Sequence, residues 1–139
     1  MNLFEKLKSM KILLIDDDEW VRDSLKLFFE SEKCCLTPFE TAEEALEALK
    51  NQKYDIIITD YFLPGMNGLD FLKYIGKSKK DTIKILITAY GSHEILDKAK
   101  ELGIHSMICK PFTTDTVEMV LSRLLGTNEA EDLDEKVAE

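Results

Sequence analysis

A chain of 139 residues with 45% apolar and 32% charged side chains has the size and balance of one globular domain with its own core. No apolar run approaches the ~20 residues of a membrane helix, and no signal-peptide pattern opens the chain, so a cytoplasmic protein without a membrane anchor is expected. The net charge of −9 disfavours a direct nucleic-acid surface.

Residues 1–10 read as an N-terminal extension. Leu3, Phe4 and Leu7 beside Lys6 and Lys8 suit a short amphipathic helix, while a frayed terminus is the default for a chain end. The first strand, Ile12 to Ile15, runs into Asp16 and Asp17. Val21, Leu25, Phe28 and Phe29 then fall at i, i+4, i+7 and i+8, one helix face. Cys34 to Thr37 is a weaker strand closed by Pro38. Thr41-Ala42-Glu43-Glu44 is a capping box that opens a helix with Ala42, Ala45, Leu46 and Leu49 inward.

Tyr54 to Thr59 shows no alternation, which predicts a strand buried on both faces, and it ends on Asp60. The loop Leu63-Pro64-Gly65-Met66-Asn67-Gly68 leads to a helical stripe of Leu69, Leu72 and Ile75, ended by Gly76. Strand 83–87 meets Thr88, and the helix after it carries Ile95, Leu96, Ala99 and Leu102 before Gly103. Strand 106–109 meets Lys110, and a last helix with Val117, Val120, Leu121, Leu124 and Leu125 stops at Gly126. Residues 127–139 hold six acids against one lysine and read as a solvated, disordered tail.

Five strand–helix pairs at roughly 22–28-residue spacing within 11–126 predict an α/β domain: a doubly wound five-stranded parallel sheet between two helix layers. Cys34, Cys35 and Cys109 have no metal spacing and read as reduced core thiols. His93 and His105 lie on no motif and suit exposed positions.

Four strands thus end on residues that phosphate chemistry uses: three carboxylates, a hydroxyl and an ammonium. In open α/β sheets ligands bind beyond the carboxyl ends of the strands, where these groups converge. Clustered carboxylates repel, and a divalent cation with oxygen ligands, Mg²⁺ above all, removes the conflict. Such a metal beside Lys110 and Thr88 makes a receptor for a phosphoryl group, with Asp60 on its central strand the natural acceptor.

Four motifs, Ile15-Asp16-Asp17, Asp60 with Leu63 to Gly68, Thr88-Ala89 and Lys110-Pro111-Phe112, resemble the receiver domain of two-component response regulators. The D-x-x-x-P-G-M-x-G run from Asp60 and the K-P-F triplet, in this order at strand ends, make the likeness specific. The resemblance implies a flavodoxin-like (βα)5 fold and a signalling module that is not a turnover enzyme. Asp60 would take a phosphoryl group from a sensor histidine kinase. Mg²⁺ would sit on Asp17, Asp60 and the Phe62 backbone carbonyl, with Asp16 acting through water. Lys110 would bind a phosphoryl oxygen, Lys110–Pro111 would be a cis peptide, and Thr88 would swing toward the phosphoryl group.

That movement would switch the face made by the fourth of the five strand-following helices, the fifth strand and the last helix. The switched face would serve a downstream protein or a histidine phosphotransfer partner, and a homodimer formed on phosphorylation stays open. Met107 stands where receivers commonly carry an aromatic switch residue, so it reads either as a substitute switch or as strand packing. Phe62 and Tyr90 occupy positions that tune loss of the phosphoryl group, and their bulk predicts a long-lived phosphoform. Trp20, three past Asp17, reads as lying near the mouth of the site or as anchoring its helix. The thirteen residues beyond the last helix are too few for an output domain, so a stand-alone receiver is expected.

Two other functions compete. A haloacid-dehalogenase-type phosphohydrolase uses a D-x-D-x-[TV] motif, nearly met by Asp16 to Trp20, but Trp20 fills the Thr/Val position. A flavin binder of related fold would need a phosphate loop after the first strand, and the acids there would repel it.

Overall fold

The computed structural model describes residues 1–76, 81–89 and 91–127. Its elements run α1 (Leu3–Leu7), β1 (Lys11–Ile15), α2 (Glu19–Ser31), β2 (Cys35–Phe39), α3 (Ala42–Asn51), β3 (Ile56–Asp60), α4 (Gly68–Gly76), β4 (Ile83–Thr88), α5 (His93–Glu101), β5 (Ser106–Cys109) and α6 (Thr114–Leu125). The strands form one sheet in the order β2-β1-β3-β4-β5, all neighbours parallel. This is the predicted doubly wound, flavodoxin-like fold.

The pleat sorts the core. Alternate residues of a strand face opposite sides, so Ile12, Leu14, Ile56, Ile58, Ile85 and Ile87 pack with α2 and α6. Leu13, Ile15, Ile57 and Leu86 pack with α3, α4 and α5. β3 is buried at all five positions, as its unbroken apolar run predicts. The face expected to switch is therefore α5–β5–α6 in this numbering.

Helix ends follow their caps. Thr41 Oγ1 accepts from Glu44 N at 3.2 Å and so caps α3 as expected, but Glu44 Oε1 accepts from the Thr41 hydroxyl at 3.0 Å rather than from its backbone N–H, so the predicted box is half made. Gly126 ends α6 with φ +65°, a left-handed position where glycine has no Cβ penalty.

Four expectations change. β2 runs through Pro38 to Phe39, because β2 is an edge strand and a missing N–H there breaks no ladder. The opening segment is folded: Leu3 and Leu7 of α1 are fully buried, and Lys6 Nζ donates to the Leu125 carbonyl at the end of α6 at 2.7 Å. Only Cys34 is a core thiol, since Cys35 and Cys109 fall on exposed strand-end positions. Thr127, placed in the tail, is buried and donates to Ser122 Oγ at 2.8 Å, while the acidic residues after it lie outside the described residues. His93 is exposed, as is His105, whose Nδ1 accepts from Lys84 N at 3.0 Å.

Candidate functional site

The sheet register brings the strand ends together. Ile15 pairs with Thr59 and Asp60 with Ile87, so the next residue of β1 lies beside the last of β3. β1 and β3 flank the point where the chain reverses its winding, which is where ligands bind in such sheets. Asp16, Asp60 and Lys110 each continue the strand phase that faces α2 and α6, whereas Thr88 and Met107 share the phase of Leu86 on the other side.

Lys110 Nζ donates to Asp60 Oδ2 at 2.7 Å and lies 3.2 Å from Asp16 Oδ2. The peptide from Lys110 to Pro111 is cis. Carboxylate oxygens of Asp16, Asp17 and Asp60 all lie within 4.8 Å of one another. Asp16, Asp60 and Thr88 are buried, Asp17 is exposed, and the Lys110 backbone N–H holds the Thr88 carbonyl at 2.8 Å.

Burial pushes the Asp16 carboxyl up from 3.8 to about 6, against the pull of the Asp18 N–H, and the charge on Asp60 adds to the rise. For Lys110 burial disfavours the charge, but the hydrogen bond to Asp60 and the charges of Asp16 and Asp60 outweigh it and raise the pKa. Asp16 Oδ2 is buried and makes no well-formed hydrogen bond, its partner being the Lys110 ammonium at 3.2 Å, which also serves Asp60 at 2.7 Å. An all-oxygen cluster in which one ammonium answers two buried carboxylates is short of positive charge and fits a hard divalent cation.

The loop after β3 is set by close contacts. A Cβ on Gly68 would stand 2.0 Å from the Asp60 carbonyl oxygen, so no other residue lets the loop return this close to the acceptor strand. Gly68 N donates to the Tyr61 carbonyl at 2.9 Å, closing the loop. Glu43 of α3 accepts from Met66 N at 2.9 Å and pins its outer side, a contact no sequence motif announced.

Phe62 is 53% exposed and packs edge-on against Tyr61, with ring centroids 4.9 Å apart. Met107 is partly buried against the α3–α4–α5 core. Tyr90 lies outside the described residues. Trp20 is 80% exposed, so it does not anchor α2; it lines a cavity of about 660 Å³ with Lys110, Pro111 and Phe112.

One residue that the sequence reading missed touches the acidic turn. Arg22 Nη1 of α2 donates to the Asp16 carbonyl at 2.8 Å. Its spacing of six from Asp16 matches no motif, since a side chain reaching back to a strand-end carbonyl leaves no periodic trace.

The response regulator receiver domain family matches residues 12–122, and the chain belongs to that family. As a receiver domain it is a phosphorylation-dependent signalling module of two-component systems, and the phosphohydrolase alternative is not favoured. Sporulation initiation phosphotransferase F of Bacillus subtilis (strain 168) is 29% identical over 115 residues, covering 83% of this chain and 93% of that protein. Chemotaxis protein CheY-3 of Vibrio cholerae is 32% identical over 125 residues, covering 84% and 92%. The non-phosphorylated HemR receiver domain from Leptospira biflexa superposes with a TM-score of 0.77 at 30% identity, covering 83% of this chain and 93% of that one. Among the described residues no helix is long and apolar enough to cross a membrane.

Proposed function

We propose that Asp60 accepts a phosphoryl group from the phosphohistidine of a sensor histidine kinase in the cytoplasm. The P–N bond to the donor imidazole breaks and a P–O bond to one Asp60 carboxylate oxygen forms, leaving the proton balance to the departing imidazole. Mg²⁺ on Asp17, Asp60 and the Phe62 carbonyl, with Asp16 through water, supplies charge neutralisation when bound. Lys110 leaves its ion pair with Asp60 for a phosphoryl oxygen, and Thr88 turns its hydroxyl to another. The added charge of roughly −1.5 to −2, by analogy with phosphoserine, biases the α5–β5–α6 face toward a downstream protein or a histidine phosphotransfer partner.

The observation that carries this reading is Lys110 Nζ spanning Asp60 at 2.7 Å and Asp16 at 3.2 Å, at the end of a three-carboxylate cluster. An ammonium already in place beside the carboxylates supports reading the cluster as a phosphoryl receptor. Acetyl phosphate with Mg²⁺ should add one phosphoryl group, mapped by mass spectrometry to Asp60, and Asp60→Asn should stay unlabelled at that position. Multiple turnover of a phosphate ester, or labelling elsewhere in the wild type, would overturn it.

A further inference from the structure

We infer that Arg22 is a positioning residue for the metal, acting through the Asp16–Asp17 peptide. The inference rests on the Mg²⁺ reading above and adds a residue to it.

Asp16 has four groups that can hydrogen-bond, and three hold the turn. Its N–H donates to the Phe39 carbonyl at 3.1 Å, its Oδ1 accepts from Asp18 N at 2.9 Å, and its carbonyl accepts from Arg22 Nη1 at 2.8 Å. Only Oδ2 is left to face the site. The Asp16 carbonyl belongs to the peptide plane that leads into Asp17. Rotation of that plane would carry the exposed Asp17 carboxylate out of the 4.8 Å cluster, and among the described residues the Asp17 side chain has no hydrogen bond or salt bridge to oppose this.

The Phe39 bond fixes Asp16 itself, the Asp18 bond closes the turn across Asp17, and the Arg22 bond holds the Asp16–Asp17 plane between them. Arg22 is in turn set by α2, whose first turn is capped by Asp18 Oδ1 accepting from Trp20 N at 2.9 Å and whose Arg22 N–H bonds the Asp18 carbonyl at 3.1 Å. The turn and the helix thus hold each other. A guanidinium suits this post because it stays charged beside acids and donates from a rigid plane.

The test is calorimetric Mg²⁺ titration of the full chain near neutral pH, with melting temperatures in chelator measured alongside. Arg22→Ala should raise the Mg²⁺ dissociation constant about tenfold or more, the size expected for one charge-assisted hydrogen bond. Arg22→Lys keeps the charge without the planar fork and should recover little of that affinity. Lys26→Ala, which breaks only a surface pair with Glu30 at 3.8 Å on the same helix, should bind as wild type does. Asp17→Asn serves as the loss-of-binding control.

Wild-type affinity in Arg22→Ala, or full recovery in Arg22→Lys, overturns the positioning role while leaving the metal reading intact. If wild type itself takes up no Mg²⁺, the metal reading falls and this inference falls with it. Should Arg22→Ala fail to fold, Arg22→Lys alone decides the matter by the same two outcomes.

Discussion

Asp16 is held in a fold that works against its charge, and the cost can be read as a pH dependence. In the folded chain its carboxyl titrates near 6, against 3.8 for an ordinary aspartate. Below the lower value both folded and unfolded chains carry the proton, and Asp16 adds nothing. Between the two the folded chain holds a proton that the unfolded chain has lost, so stability falls as pH rises. Above about 6 the whole loss is present, on the order of 3 kcal/mol. Asp16→Asn removes this penalty and keeps an oxygen for the Asp18 N–H, so in chelator near pH 8 it should melt several degrees above wild type; an unchanged or lower melting point would count against the burial argument. Gly68 is the opposite case, a residue whose lack of a side chain is the contribution. Gly68→Ala drives a methyl group to 2.0 Å from the Asp60 carbonyl and should lose about 1–3 kcal/mol in urea unfolding, together with labelling by acetyl phosphate. Phe62, half-exposed beside the acceptor strand, is expected to screen the phosphoryl group from water. Phe62→Ala should shorten the phosphoform lifetime severalfold in a phosphate-release assay, and an unchanged lifetime would leave the ring as loop packing alone.

At the scale of elements, α1 lies before the residues matched by the family, yet it is part of the core. Leu3 and Leu7 are fully buried, Phe4 meets Phe28 edge-on with centroids 5.9 Å apart, and Lys6 satisfies the Leu125 carbonyl at the end of α6. A helix end leaves its last carbonyls without partners, and the Lys6 ammonium also complements the negative end of the α6 dipole. Leu7→Ala should therefore cost about 2–5 kcal/mol in urea unfolding, and Lys6→Ala about 1 kcal/mol. Asp60 labelling should survive Lys6→Ala, because α1 sits at the opposite end of the sheet from the acids; loss of labelling there would show that the brace reaches the site. Why α1 was undecided from sequence is plain: five residues cannot hold a helix by propensity, and their burial depends on contacts with α2 and α6, which are distant in the chain. The larger elements were legible because each carries a period of its own, apolar runs for strands and i, i+4 stripes for helices. Pro38 misled because the rule that proline ends a strand holds for inner strands, and nothing local marks β2 as an edge. The acids and Lys110 were legible as strand ends, but Arg22 and Glu43 were not, since each reaches a backbone group of another segment at no regular spacing.

For the whole molecule, the doubly wound sheet delivers acids of β1 and β3 to one point in a chain already at −9, with Lys110 as the cation in contact with them. The fold is thus least comfortable where it is proposed to act, and a divalent cation is the ligand that relieves it. Binding to the folded state alone stabilises by mass action, about 2.7 kcal/mol at a hundredfold excess over the dissociation constant. The size of that gain must follow the charge on Asp16. Above about pH 6 its buried carboxylate is ionised and metal has a full negative charge to meet; as pH falls through that value a proton takes the place of part of that attraction. The melting-temperature gain from Mg²⁺ over chelator should therefore be large near pH 8 and shrink strongly by about pH 5, before ordinary carboxylates near 4 titrate. Asp16→Asn should flatten this pH dependence while keeping a Mg²⁺ gain through Asp17 and Asp60. A wild-type gain that stays constant from pH 8 to about 5 would mean that Asp16 does not feel the metal, and the coupling between buried acid and cation would have to be given up.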